Sequence, residues 1–82
     1  MIFYVYMLKS INKKIIKTYV GYSNDPILRL KKHNSGFGAK STRGRKWKII
    51  YKKKFYDKKL AMSFEYKLKK DKIERKRLLS IS

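Results

Sequence analysis

Ile2-Phe3-Tyr4-Val5-Tyr6-Met7-Leu8-Lys9 is the stretch on which the fold turns. β-Branched and aromatic side chains fill nearly every position, as in a strand covered on both faces, so it reads as the central strand of a sheet. Ser10 to Lys14 is polar and holds Asn12, a residue suited to a turn, and Ile15 to Tyr22 resumes the strand pattern. A hairpin is therefore expected, and it brings Tyr6 and Tyr19 into one neighbourhood. Asn24-Asp25-Pro26 then starts a helix. Asp25 is placed to accept from the first free N–H groups, and Pro26 suits the first helical position. The helix should run to about Asn34, with Ile27 and Leu30 on one side and Asp25, Arg29 and His33, four apart, along another.

Asn34 to Lys46 holds three of the four glycines and four cations without an acid, which reads as a mobile basic loop. Its glycines let backbone N–H groups approach phosphate oxygens, and Ser41 and Thr42 add hydroxyl donors. No nucleotide-binding glycine fingerprint stands in it. Trp47 to Phe55 begins by alternating apolar residues (Trp47, Ile49, Tyr51) with lysines and reads as a third strand. Asp57 caps a helix with an apolar stripe of Leu60, Ala61, Phe64 and Leu68, and Glu65 sits beside that stripe. Ile73 to Ile81 forms a short last helix with Leu78 turned inward. The order is β-β-α-β-α-α, an α/β fold with a small three-stranded mixed or antiparallel sheet flanked by helices.

Eighty-two residues make one domain over positions 1–82, because a chain of this size has material for a single small core. With 43% hydrophobic and 15% aromatic residues, the chain can fold rather than remain a disordered basic tail. Twenty-four Lys and Arg against five Asp and Glu leave a net charge of +19. Residues 1–41 carry eight cations and one acid, and residues 42–82 carry sixteen and four, so the charge is spread over the whole fold. Such a surface attracts phosphate from several directions and makes nucleic acid the expected partner. An AT-rich genome raises Lys and Ile, but it raises Glu as readily, and only two Glu are present. The absence of Cys removes disulfides, thiolate zinc sites and Cys nucleophiles, and one histidine cannot build a His-rich metal site. The run from Ile2 to Leu8 is too short to span a bilayer, so a cytoplasmic protein without a membrane partner is expected.

Few residues remain for chemistry. Asp25 and Asp57 serve as caps, and neighbouring cations account for Asp71 and Glu74, which leaves Glu65 as the unassigned carboxylate. Glu65 either pairs with Lys58 or Lys69 on the helix surface or leans toward the body with Phe64 and Leu68. A lone carboxylate suits Mg²⁺, which keeps waters and takes substrate phosphates to complete its shell. Tyr6 and Tyr19 are either strand packing or bases whose phenolates a cationic field favours. Arg29, if not bridged to Asp25, can brace a phosphate, and His33 one turn later can bond a water or a tyrosine hydroxyl.

Tyr4-Val5-Tyr6, twelve intervening residues, Tyr19-Val20-Gly21, then Arg29, His33, Gly36-x-Gly38-Ala39 and Glu65 form an ordered set that resembles the GIY-YIG nuclease family over essentially the entire chain. The stretch from Tyr19 through Arg45 is similar to small stand-alone bacterial members and to the catalytic subunit of the structure-specific junction nuclease. The resemblance implies metal-dependent hydrolysis of phosphodiesters. By it, Tyr19 helps deprotonate the attacking water, Tyr6 positions water or phosphate, Arg29 stabilises the developing charge, and His33 completes the hydrogen-bond network. Glu65 ligates Mg²⁺, with Mn²⁺ as the alternative ion. Gly21 allows close backbone approach beside the cleft, and Lys40, Arg43, Arg45 and Lys46 are the expected nucleic-acid contacts. Two departures stand out: Tyr4 occupies the place of the name-giving glycine, and Tyr22 stands where the excinuclease relatives keep a lysine.

The expected activity is an endonuclease on DNA, structure-directed or non-specific, because the catalytic module fills the chain and leaves no separate reading domain. Two other readings carry the same charge. One is a non-catalytic module binding DNA or RNA, and the other a subunit docking a larger protein that supplies specificity.

Overall fold

The computed structural model describes residues 1–11 and 14–82. Three strands, β1 (Phe3–Ser10), β2 (Thr18–Ser23) and β3 (Trp47–Phe55), form one antiparallel sheet in the order β2-β1-β3. Helix α1 (Pro26–Ser35) and a 3₁₀ turn (Lys40–Thr42) lie between β2 and β3, and α2 (Lys58–Lys70) and α3 (Lys72–Ile81) follow β3. The expected β-β-α-β-α-α order is therefore the observed one. Of the two sheet types expected, the antiparallel one is found. No helix among the described residues is long and apolar enough to cross a membrane.

Central placement explains why β1 lacks a wet face. Val5, Tyr6, Met7 and Leu8 are all buried, and the period of two sends them to opposite sides. Val5 and Met7 join Val20, Ala61, Leu68 and Leu78 in an apolar core under α2 and α3. Tyr6 and Leu8 join Trp47, with Tyr19, Leu30 and Ile49 packed against them, under α1. The sheet thus carries two different layers.

Several sequence expectations change at the ends of elements. The turn expected at Asn12 lies outside the described residues. β2 begins at Thr18 rather than Ile15, and Ile15 and Ile16 are exposed. The physical reason is loss of a partner: pairing ends at Lys9↔Thr18, and the Ser10 hydroxyl accepts from the Lys17 amide at 2.8 Å, closing the ladder. In β3 the alternation slips at a register shift between Met7 and Leu8, whose partners are Tyr51 and Ile49. Ile49 consequently joins the layer under α1, while Ile50 and Tyr51 pack on the opposite one.

Helix α1 starts as expected, with Asp25 accepting from the Leu28 amide and Pro26 in the first turn, and Gly36 closes it at φ 86°. Its inward residues are Pro26, Leu30 and His33, whereas Ile27 is exposed, so the face drawn through Ile27 and Leu30 is corrected. In α2, capped by Asp57, Ala61, Phe64 and Leu68 face the core but Leu60 is exposed. A neighbour one position from the stripe falls about 100° away on a helix and misses the sheet. Asp71 caps α3, and Leu78 is buried as expected.

The basic loop is more ordered than its glycines suggest. Asn34 clasps both of its ends: Oδ1 accepts from the Trp47 amide at 2.6 Å, Nδ2 donates to the Trp47 carbonyl at 3.1 Å, and Lys46 Nζ donates to the Asn34 carbonyl. Between these ends the 3₁₀ turn folds Thr42 inward, where it is buried. Its expected role as a hydroxyl donor to phosphate is therefore corrected.

Candidate active site

Cross-strand register builds the site. Tyr6 faces Gly21 and Leu8 faces Tyr19, so the two tyrosines project diagonally on one side of the sheet with ring centroids 6.4 Å apart. A Cβ on Gly21 would lie 2.7 Å from the Tyr6 hydroxyl and 3.0 Å from the Tyr19 ring. Glycine is required there because the two phenols occupy the space a side chain would need.

His33 comes down from α1 onto this pair. Its ring lies 4.8 Å from that of Tyr19, and its Nε2 is 3.1 Å from the Tyr6 hydroxyl. Its other nitrogen, Nδ1, is 2.8 Å from Thr42 Oγ1. The loop covers the histidine so closely that a Cβ on Gly38 would lie 2.3 Å from Nδ1. Trp47 fixes the same turn by donating from Nε1 to the Thr42 carbonyl at 2.9 Å. Every polar atom of this buried cluster has a partner among the described residues.

Electrostatics separates the members. Burial pushes the Tyr6 phenol above its ordinary value, against the Arg29 guanidinium, which favours the phenolate by hydrogen bonding and by charge; Tyr19 and Glu65 push it up further. Burial holds His33 below its ordinary value, and Arg29 adds to the effect. Arg29 and Glu65, from helices on different sides of the sheet, thus both act on one hydroxyl. Tyr6, Tyr19 and His33, from three separate segments, are in direct contact, and Arg29 and Glu65 bear on the Tyr6 hydroxyl through their charges.

The expected phosphate-contacting cations go elsewhere. Arg43, Arg45 and Lys46 line a hollow of about 730 Å³ together with Ser10, Ile11, Lys14 and Gly44. Lys40 is exposed at the start of the 3₁₀ turn. A separate hollow of about 350 Å³ opens at the β2 edge, lined by Thr18, Tyr19, Val20, Ser41, Lys69 and Arg75. Lys69 and Arg75 were not among the sequence candidates. Arg75 is set by its Nη1, which donates to the Leu68 and Lys69 carbonyls at the end of α2, and no spacing signal announces such a clasp. Lys69 had a signal in its place four residues after Glu65.

Glu65 Oε1 pairs with Lys69 Nζ at 3.3 Å, one of the two alternatives left open by the sequence, and its side chain is only 16% exposed. Among the described residues no group of three or more His, Cys, Asp or Glu could hold a metal ion. A single carboxylate fits Mg²⁺, which binds through one or two carboxylates and keeps water and phosphate for its remaining positions.

Residues 2–77 match the family model described as the GIY-YIG catalytic domain. The chain belongs to the GIY-YIG family. Its relatives are small GIY-YIG proteins named UPF0213. The one from Oceanobacillus iheyensis is 43% identical over 67 residues, covering 80% of this chain and 74% of its own. The one from Streptococcus pyogenes serotype M1 is 39% identical over 80 residues, covering 96% and 84%. The solution NMR structure of the UPF0213 protein of Bacillus halodurans matches all of this chain and 86% of its own, with 37% identity and a TM-score of 0.57. The GIY-YIG domain is a nuclease-type catalytic domain, and nucleic acid is the substrate class it points to.

Proposed function

We propose that this chain is an Mg²⁺-dependent endonuclease that hydrolyses DNA phosphodiesters and selects its target by nucleic-acid structure or without preference. The observation that carries the reading is the packing of Tyr6, Tyr19 and His33 into one cluster, with Tyr6 Oη 3.1 Å from His33 Nε2 and the charges of Arg29 and Glu65 bearing on the same hydroxyl. Hydrolysis needs a route for the proton of the attacking water and a counter-charge for the phosphorane-like transition state. Tyr6 and Tyr19 hold the water between them and accept its proton. Arg29 meets the charge developing on the non-bridging oxygens, where a planar guanidinium can donate two parallel hydrogen bonds. Glu65 would hold the cation, exchanging its contact with Lys69, and the metal when bound neutralises phosphate charge as a Lewis acid. Lys69 and Arg75 at the β2 edge, and Arg43, Arg45 and Lys46 in the other hollow, hold the flanking backbone without reading bases.

The Glu65–Lys69 pair favours a second reading, a binding module whose carboxylate is committed to a lysine. One assay separates the two: incubation with Mg²⁺ or Mn²⁺ and a panel of linear, flap, branched and single-stranded substrates, beside Glu65→Ala. The nuclease reading expects cleavage by the wild type, none by Glu65→Ala, and undiminished DNA affinity in the variant. Equal nicking by both proteins, or none by either, removes it.

A further inference from the structure

Thr42 carries one hydroxyl hydrogen, and Oγ1 gives it to the Ala39 carbonyl at 2.7 Å, because a carbonyl oxygen can only accept. His33 Nδ1 stands 2.8 Å from the same Oγ1, so in that contact the ring must be the donor. A neutral imidazole has one N–H. With that hydrogen on Nδ1, Nε2 is a bare acceptor, and the hydroxyl of Tyr6, 3.1 Å away, has to donate to it. Burial and the Arg29 charge both favour the neutral ring on which this count depends. The Ala39 carbonyl, a backbone group in a clasped loop, therefore sets the direction of every hydrogen bond up to Tyr6.

We propose that Thr42 is a positioning residue that locks His33 in the Nδ1–H tautomer and so aims the proton of Tyr6 at a vacant nitrogen. The proposal rests on the endonuclease reading and deepens it. A neutral phenol is a poor base, but one whose own proton has an outlet can accept another as it gives the first away. The attacking water loses a proton to Tyr6 Oη while the original Tyr6 proton passes to His33 Nε2. The resulting hydroxide forms the new P–O bond, the bond to the leaving oxygen breaks, and that oxygen takes a proton from solvent. His33, now imidazolium, keeps Nδ1–H on Thr42 and returns its extra proton through Tyr6 to solvent. With the opposite tautomer, Nε2–H would point at Tyr6 and the outlet would be closed.

His33 is the only histidine, so ring-nitrogen NMR of the labelled full chain reads its tautomer directly. The wild type is expected to carry its proton on Nδ1. Thr42→Val, which keeps the shape but not the acceptor, should move the proton to Nε2 and slow single-turnover cleavage roughly a hundredfold, the usual scale of acid–base assistance. KM and the salt dependence of binding should stay unchanged, and Thr42→Ser should restore both tautomer and rate. A wild-type proton on Nε2 overturns the proposal without any variant. So does Thr42→Val with the proton still on Nδ1, or with the proton moved and the rate intact. If the wild type cleaves none of the substrates while the tautomer responds as described, the endonuclease reading fails and the lock stands.

Discussion

The two layers of the sheet obey different rules although they share β1. Under α2 and α3, Val5, Met7, Val20, Ala61, Leu68 and Leu78 make an apolar core whose stability scales with area removed from water. Under α1, Tyr6, His33 and Thr42 are just as buried, yet they are held by directed hydrogen bonds. A layer of the first kind tolerates changes of shape that keep volume, while in one of the second kind each lost donor leaves a buried partner unpaired. The comparison teaches that one strand, read two residues at a time, supplies fold from its odd positions and chemistry from its even ones.

The largest effect on stability should come from the apolar layer. Met7→Ala, at a fully buried position, is expected to cost about 2–5 kcal/mol by urea unfolding. Cleavage per folded molecule should be unchanged, and a cost below about 1 kcal/mol would mean that the layer is looser than described. Next comes the steric border of the polar layer. In Gly38→Ala the new Cβ meets His33 Nδ1 at 2.3 Å and the His33 backbone Cα at 2.9 Å, so the loop must lift. A loss of about 1–3 kcal/mol is expected, accompanied by loss of the histidine ring's fixed tautomer in its NMR spectrum. An unshifted spectrum would show that the loop does not press on the ring.

Tyr6→Phe should invert the pattern of Met7→Ala. Removing one buried hydroxyl leaves His33 Nε2 without its partner and costs only about 1 kcal/mol, while cleavage should fall at least a hundredfold. Similar losses of rate in Tyr6→Phe and Met7→Ala would erase the distinction between the layers. The smallest effect is one of pH. The folded chain holds His33 neutral below its ordinary value of 6.5, so on acidification the unfolded chain takes up the proton first. The stability this group contributes is complete above 6.5 and is lost as pH falls toward the folded-state value. Melting curves across that window should fall more steeply for the wild type than for His33→Gln, and parallel slopes would argue against a neutral buried ring.

Much of this was legible in the sequence, for reasons tied to particular residues. The hairpin brought Tyr6 and Tyr19 into one neighbourhood, and Asp25-Pro26 fixed the start of α1, because strand pattern and capping are local physics; the shared side of the two tyrosines came only with the register. The direction of Thr42 was not legible, since a hydroxyl in a Gly-rich basic loop looks the same whether it faces phosphate or histidine. Ile27 and Leu60 were misread because an apolar residue beside an apolar stripe gives no sign of where the stripe ends. The register shift beside Ile50 and the clasp that sets Arg75 depend on contacts between distant segments, which spacing alone does not record. Glu65 stood out by elimination, but whether it paired with a lysine or leaned toward the body required the fold, in which it pairs with Lys69 while its side chain is only 16% exposed.

If Tyr6 and Glu65 act as one unit of chemistry, single-turnover cleavage by Tyr6→Phe, Glu65→Gln and the double variant measures that unit directly. Residues that act together are non-additive, so the double variant should be no slower than the slower single one. Losses that multiply, or a Glu65→Gln protein as fast as the wild type, would contradict it.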